Sequence, residues 1–262
     1  KDDINKRLNI NDANKKVIPS NGYGDAAKIR QLLKMEKPDA IFIFTDPRYW
    51  VWLFQLEREI RSQIPIFYLN IWDDYPAPLY NKSYYDSCDL LMGISKQTVN
   101  INKLVLAERA KDKVIKYTPH GIDENLFFPV GKDHEFYPQL QEFKKNTIPV
   151  DSDFTVYFNA RNIHRKRPGD IILSFKMFCD KLSKEQAQKC SLVMHTQVSD
   201  PNGTDLKAVK EAIYPEGNIF FSQGKLTPEQ MNFMYNMSDV TMLISSNEGW
   251  GLSLTESMIC GT

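Results

Sequence analysis

Two glutamates separated by seven residues bracket a glycine-rich turn near the end of the chain, Glu248-Gly-Trp-Gly-Leu-Ser-Leu-Thr-Glu256. Before it, Val240–Ser245 reads as a short apolar strand, and after it Leu252–Ile259 repeats apolar residues at helical spacing. A strand, a turn holding Gly249 and Gly251, and a helix start are what a phosphate-bearing ligand needs. Glycine lets the backbone approach closely, and the helix N-terminus offers unpaired N–H groups with a partial positive charge. Carboxylates beside such a site accept hydrogen bonds, which suits sugar and ribose hydroxyls rather than phosphates. Ser253-Leu-Thr-Glu256 fits a helix capping box equally well, which would give Glu256 a purely structural role.

A second constellation, Asn159-Ala-Arg161-Asn-Ile-His-Arg-Lys166, leaves an apolar strand. A diphosphate must meet charge-assisted donors, and arginine supplies them bidentately. The same cluster also fits a solvated basic loop.

The glutamate stretch resembles the family 4 glycosyltransferases, which share the GT-B fold of two Rossmann-like domains facing across a cleft. Glu248-Gly-Trp-Gly-Leu-Ser-Leu-Thr-Glu256-Ser-Met-Ile-Cys-Gly261 matches that family's paired-glutamate pattern. The resemblance implies that Glu248 lies by the donor sugar and Glu256 holds the nucleotide ribose. The turn residues Gly249, Trp250, Gly251 and Leu252 complete the implied donor-binding set. It also implies that Arg161 and Lys166 clamp the donor diphosphate, although Ala160 stands where the family has glycine. Pro119-His-Gly-Ile-Asp123 is similar to the family's segment at the end of the first domain, where His120 would face the donor or, the favoured reading, serve structure alone.

The activity implied by the resemblance is a retaining transfer of a sugar from a nucleotide diphosphate sugar to an acceptor hydroxyl. The leaving phosphate itself would deprotonate the acceptor, and neither metal nor cofactor would be needed. The acceptor would be a carbohydrate, a lipid-linked molecule or a protein. Competing readings are a GT-B phosphorylase or nucleotide-sugar epimerase, and a nucleotide-sugar binding fragment without activity. In the family, loops such as Thr196-Gln-Val198 and Gln223-Gly-Lys-Leu226 touch the base. The resemblance places a histidine near Trp72-Asp73-Asp74, where this chain has tryptophan. Asp73 is the candidate catalytic residue of the first domain; Asp73 or Asp74 would orient an acceptor hydroxyl or cap the following turn.

The elements that must position these residues alternate along the chain. Helices are expected over Ala26–Met35, Trp50–Ile60 and from Ser95 to Leu106, with buried strands at Ala40–Thr45, Pro65–Ile71, Asp89–Ile94 and Val114–Tyr117. Residues 1–23 are polar and carry no clear element. The alternation restarts with strands at Phe154–Asn159, Ser191–His195, Asn218–Phe221 and Val240–Ser245, and helices from Pro168 to Leu182, Leu206–Ile213 and Pro228–Met237. Such alternation predicts parallel sheets with right-handed crossovers. The fold class is therefore α/β, with domains over 1–128 and 153–262 and a linker over 129–152; the resemblance implies that the first is the acceptor side and that the second is an incomplete nucleotide-sugar domain. Both ends are abrupt, and the chain reads as a piece of a longer protein.

Composition narrows the partners. Thirty-three basic residues balance 33 acidic ones, which gives no net field to hold nucleic acid or an anionic membrane. The four cysteines lack metal-ligand spacing, as expected of a reducing compartment, and no apolar run is long enough to span a membrane. A cytoplasmic location is the expectation. No Ser-His-Asp, H-E-x-x-H, Walker or Asp-x-Asp pattern is present.

Overall fold

The computed structural model describes residues 17–262. The polar stretch 1–16, expected to carry no element, lies outside the described residues. The chain forms two compact units, the first ending at Pro119 and the second starting at His120.

In the first unit, helix α1 (Ala26–Glu36) starts where Asp25 accepts the backbone N–H of Lys28, at 2.9 Å. Strands β1 (Ile41–Phe44), β2 (Ile66–Asn70), β3 (Leu90–Gly93) and β4 (Val114–Tyr117) pair in parallel, in sequence order. Between them lie α2 (Val51–Phe54), α3 (Glu57–Arg61), α4 (Lys82–Asp86) and α5 (Lys96–Leu106). Ser95 caps α5 as expected, accepting from Thr98 N at 3.0 Å. The single helix expected over Trp50–Ile60 is instead a 3-10 turn followed by two short helices. One face of the sheet, through Ile43, Tyr68 and Leu91, packs with Leu53, Ile60, Ile101 and Val105 into a core. Strand β1 was expected to be buried, yet its alternate residues Phe42 and Phe44 are 57% and 44% exposed. They lie on the opposite sheet face.

In the second unit, β5 (Phe154–Asn159), β6 (Cys190–His195), β7 (Ile219–Ser222) and β8 (Val240–Thr241) are all parallel, in the order β7-β6-β5-β8. The helices are α6 (Tyr137–Thr147), α7 (Pro168–Cys179), α8 (Lys184–Gln188), α9 (Leu206–Ile213), α10 (Pro228–Asn236) and α11 (Leu252–Ile259). Both sheet faces are packed. Val156, Phe158, Leu192 and Met194 meet Ile171, Ile172 and Phe175 of α7, whereas Tyr157 and Val193 meet Phe233, Met234 and Tyr235 of α10.

The expected linker over 129–152 is a correction. Val130, Leu140 of α6 and Ile148 are buried in the core that holds Tyr157 and Val193. Asn236 Oδ1 accepts the backbone N–H of Val130 at 2.6 Å, and Asn232 Oδ1 that of Phe128 at 3.1 Å. Apolar residues buried in one core tie this stretch to the second unit, so the division falls after Pro119 rather than at 128.

Candidate functional site

The order β7-β6-β5-β8 contains a reversal. From β5 the chain adds β6 and then β7 on one side, and returns to place β8 on the other. Successive crossovers there leave opposite ways, and in open sheets of this kind ligands bind outside the carboxyl ends of the strands at such a reversal, here β5 and β8. The loops that leave those two ends are 160–167 and 242–251. They hold both sequence constellations.

Strand β8 pairs with β5 only over Val240 and Thr241, not to Ser245 as expected. After Met242 N donates to Tyr157 O the chain turns to the other loop, where Ser246 N donates to Arg165 O at 2.9 Å. Arg165 Nη1 in turn donates to Asn247 O at 2.7 Å. A 3-10 turn over His164–Lys166 ends at Arg167, which adopts a left-handed backbone with φ of 49°. Lys166 Nζ forms an ion pair with Glu248 Oε1, and Arg165 approaches Glu248 Oε2 at 3.6 Å. The Lys166 and Glu248 side chains are 14% and 23% exposed, so the pair is largely withdrawn from water. Burial alone would raise the Glu248 carboxyl, but the Lys166 hydrogen bond and the charges of Lys166 and Arg165 outweigh it and hold the group below its ordinary value.

Gly251 takes φ +84° as the N-cap of α11. An added Cβ would meet only ordinary contacts, Leu243 Cδ2 at 3.9 Å and Leu254 Cδ1 at 4.0 Å, so the backbone conformation is what requires glycine. Among the described residues no side chain caps α11, which leaves its N-terminus available to an anion. The indole N–H of Trp250 is buried without a hydrogen-bond partner among the described residues.

The capping-box reading of Glu256 does not hold. Ser253 lies inside α11, whose cap is Gly251. Glu256 instead accepts from the Tyr235 hydroxyl at 2.5 Å. Burial raises the Glu256 carboxyl above its ordinary value, against the opposing pull of that hydrogen bond and of the His120 charge. His120 Nδ1 lies 2.7 Å from Gly121 O.

Arg161 is not paired with Lys166. Its Nε bonds Asp200 Oδ2 at 3.1 Å, leaving a guanidinium that is 61% exposed. It lines an open cleft of about 500 Å³ together with Asn159, His195, Thr196, Gln197 and Gln223. Lys166 and Glu248 are not among its walls. The loops expected to meet the base are therefore together, except that Val198 is buried in the core. Burial holds the His195 imidazole below its ordinary pKa, and Nδ1 lies 3.0 Å from Ser222 Oγ.

Asp73 belongs to the first unit, in the loop after β2. That loop hangs on a buried polar network: Asn70 Nδ2 donates to Tyr85 OH at 2.9 Å and to Asn102 Oδ1 at 2.6 Å, while Trp72 N donates to Asn70 Oδ1 at 3.1 Å. Asp74 Oδ1 accepts Tyr75 N at 2.8 Å, the turn-capping alternative, and Asp73 O accepts from Gln97. Sequence reasoning missed Tyr235 and Arg165 as partners of the glutamates, and Asn159 as the donor to the Tyr235 hydroxyl. No helix among the described residues is long and apolar enough to cross a membrane.

Residues 139–262 match the family model described as glycosyl transferases group 1. No curated protein matches the chain. Among solved structures, a glycosyltransferase from Rickettsia africae ESF-5 superposes with a TM-score of 0.69 at 16% identity, over 98% of this chain and 66% of that one. The Candida albicans trehalose-6-phosphate phosphatase N-terminal domain gives 0.66 at 15%, over 89% and 56%. An E. coli structure described as trehalose-6-phosphate bound with UDP-2-fluoro glucose gives 0.65 at 14%, over 89% and 59%. The chain thus spans between 56% and 66% of the length of these structures. The α/β fold with parallel sheets is that of GT-B glycosyltransferase structures, and the paired-glutamate resemblance falls inside residues 139–262, the part of the chain that matches the glycosyl transferases group 1.

Proposed function

We propose that the chain carries the donor-handling part of a retaining family 4 glycosyltransferase, which moves a sugar from a nucleotide diphosphate sugar to an acceptor hydroxyl. The observation that supports this best is the meeting of Lys166 and Glu248 at the strand-order reversal, beside the uncapped N-terminus of α11. In this reading Lys166, Arg161 and the N–H groups of α11 face the diphosphate. They stabilise the charge that grows on it as the sugar–phosphate bond breaks. Glu248, kept ionised by its cationic neighbours, accepts hydrogen bonds from the donor sugar, and Glu256 accepts them from the ribose. The acceptor oxygen bonds to the anomeric carbon, and its proton passes to the leaving phosphate. Asp73 is assigned to the acceptor side, orienting the hydroxyl. The acceptor is a carbohydrate, a lipid-linked molecule or a protein.

Calorimetry with UDP, GDP and ADP tests the site. At least one should bind, and Lys166→Ala should weaken it by about 1.5–3 kcal/mol, the scale of a hydrogen bond to a charged group. UDP-glucose leads the donor panel because one structural neighbour holds UDP-2-fluoro glucose. Binding of none of the three nucleotides would remove the reading.

A further inference from the structure

We propose that Tyr235 is a positioning residue that fixes the Glu256 carboxylate for the nucleotide ribose; the inference rests on the donor-site reading above. Tyr235 lies on α10, and its side chain is fully buried. Its ring is held edge-on by Tyr157 at 5.3 Å and by Phe127 at 5.9 Å, so the hydroxyl has one place to be. That hydroxyl accepts from Asn159 Nδ2 at 2.9 Å and donates to Glu256 Oε2 at 2.5 Å. Asn159 is the last residue of β5, and Glu256 lies about one turn into α11. The relay therefore ties the carboxylate to the strand end at the reversal, through three elements that are far apart in sequence.

The direction of the relay is set by the asparagine. An amide nitrogen only donates, so Asn159 takes the acceptor capacity of the hydroxyl and leaves its proton for Glu256. One oxygen of Glu256 is thereby committed, and Oε1 makes no hydrogen bond with the described residues. Ribose offers two vicinal hydroxyls as donors. A carboxylate pinned at one oxygen presents the other in a fixed direction and avoids the rotamer entropy that a free glutamate would lose on binding. His120, Tyr157 and Cys260 also face Glu256, and only His120 adds a favourable charge. The tyrosine itself stays neutral because burial drives its pKa far up.

The test uses whichever of UDP, GDP and ADP binds most tightly, together with its 2′,3′-dideoxy form. Tyr235→Phe keeps the ring contacts and removes only the hydroxyl. Its affinity for the ribonucleotide should fall about five- to tenfold, the value of one hydrogen bond, while the dideoxy form binds variant and wild type alike. In a Glu256→Gln background the same change should cost the ribonucleotide no more than about twofold, since paired sites are non-additive. Asn159→Ala, which leaves the tyrosine in place, should show the ribonucleotide-selective loss more weakly and serves if Tyr235→Phe does not fold. An equal loss for both nucleotides in these variants would make Tyr235 structural and overturn the proposal. If none of the ribonucleotides binds the wild type, the donor-site reading fails and the proposal falls with it.

Discussion

The two units are wound from the same alternation of strand and helix, but among the described residues only the second turns back on itself. In the first, β1 to β4 lie side by side in sequence order. In the second, β8 returns across β5, and both faces of the sheet are covered, whereas in the first the edge strand β1 leaves Phe42 and Phe44 exposed. Carboxylates occur at strand ends in both. Asp73 and Asp74 come after β2, yet the contacts of Asp74 serve its own turn. Glu248 and Glu256 meet groups 82 and 21 positions away, Lys166 and Tyr235. What separates the two is topology: the reversal brings two loops together at the carboxyl ends of β5 and β8.

The largest expected effect breaks that convergence. Lys166→Ala removes the partner of a carboxylate that is mostly out of water, and a buried pair that loses one member is destabilised by about 3–5 kcal/mol where burial is complete. Lys166 and Glu248 retain 14% and 23% exposure, so the cost should fall below that range. Denaturant midpoints and nucleotide affinity should both drop. Asp73→Asn sharpens the contrast: it should lower sugar transfer while nucleotide affinity stays at the wild-type value. A nucleotide affinity that tracks Asp73 would erase the distinction between the units.

A smaller effect separates two glycines. Gly251→Ala must place a side chain at φ +84°, which costs about 1–2 kcal/mol. Gly251→Asn should recover part of that, because asparagine tolerates the left-handed region. In the first unit Gly93 has an ordinary φ but no room: an added Cβ would lie 2.7 Å from both Val99 N and Val99 Cγ2. Gly93→Asn should therefore be worse than Gly93→Ala, the reverse order. Chemical denaturation of the four variants checks the crossing, and the same order at both positions would mean that conformation does not decide at Gly251.

The part of this that was legible in the sequence divides in the same way, between local and distant. Helix α11 was readable to the residue because glycine, leucine and isoleucine spacing settle it within one turn. The capping box at Ser253 was a local reading too, and it failed because Gly251 already starts the helix. Tyr235 was only a helix residue until folding placed its hydroxyl against Glu256. The stretch 129–152 misled for a related reason. Lysines, glutamates and prolines surround Val130, Leu140 and Ile148, and only the packed structure shows those three in one core. The exposure of Phe42 was invisible because an apolar strand reads as buried whether or not its second face is covered.

The smallest expected effect opposes the two glutamates of the site by pH. Glu248 has a folded pKa below its ordinary 4.5, so its ionised form stabilises the fold above that value. The contribution is lost as pH falls through the depressed folded pKa. Glu256 has a folded pKa above 4.5, so its charge costs stability at neutral pH, and the cost fades as pH falls through the raised value. Glu248→Gln should therefore lower the melting temperature at pH 7, by less in acid. Glu256→Gln should raise it at pH 7, with the gain vanishing in acid, while ribonucleotide affinity falls. A residue that costs stability yet is needed for binding is the pattern expected of a functional group rather than a cap. Melting curves of both variants at pH 7 and pH 4 decide it. A loss of stability for Glu256→Gln at neutral pH would show that the Tyr235 hydrogen bond outweighs the burial cost, and would turn Glu256 back into a support of the fold.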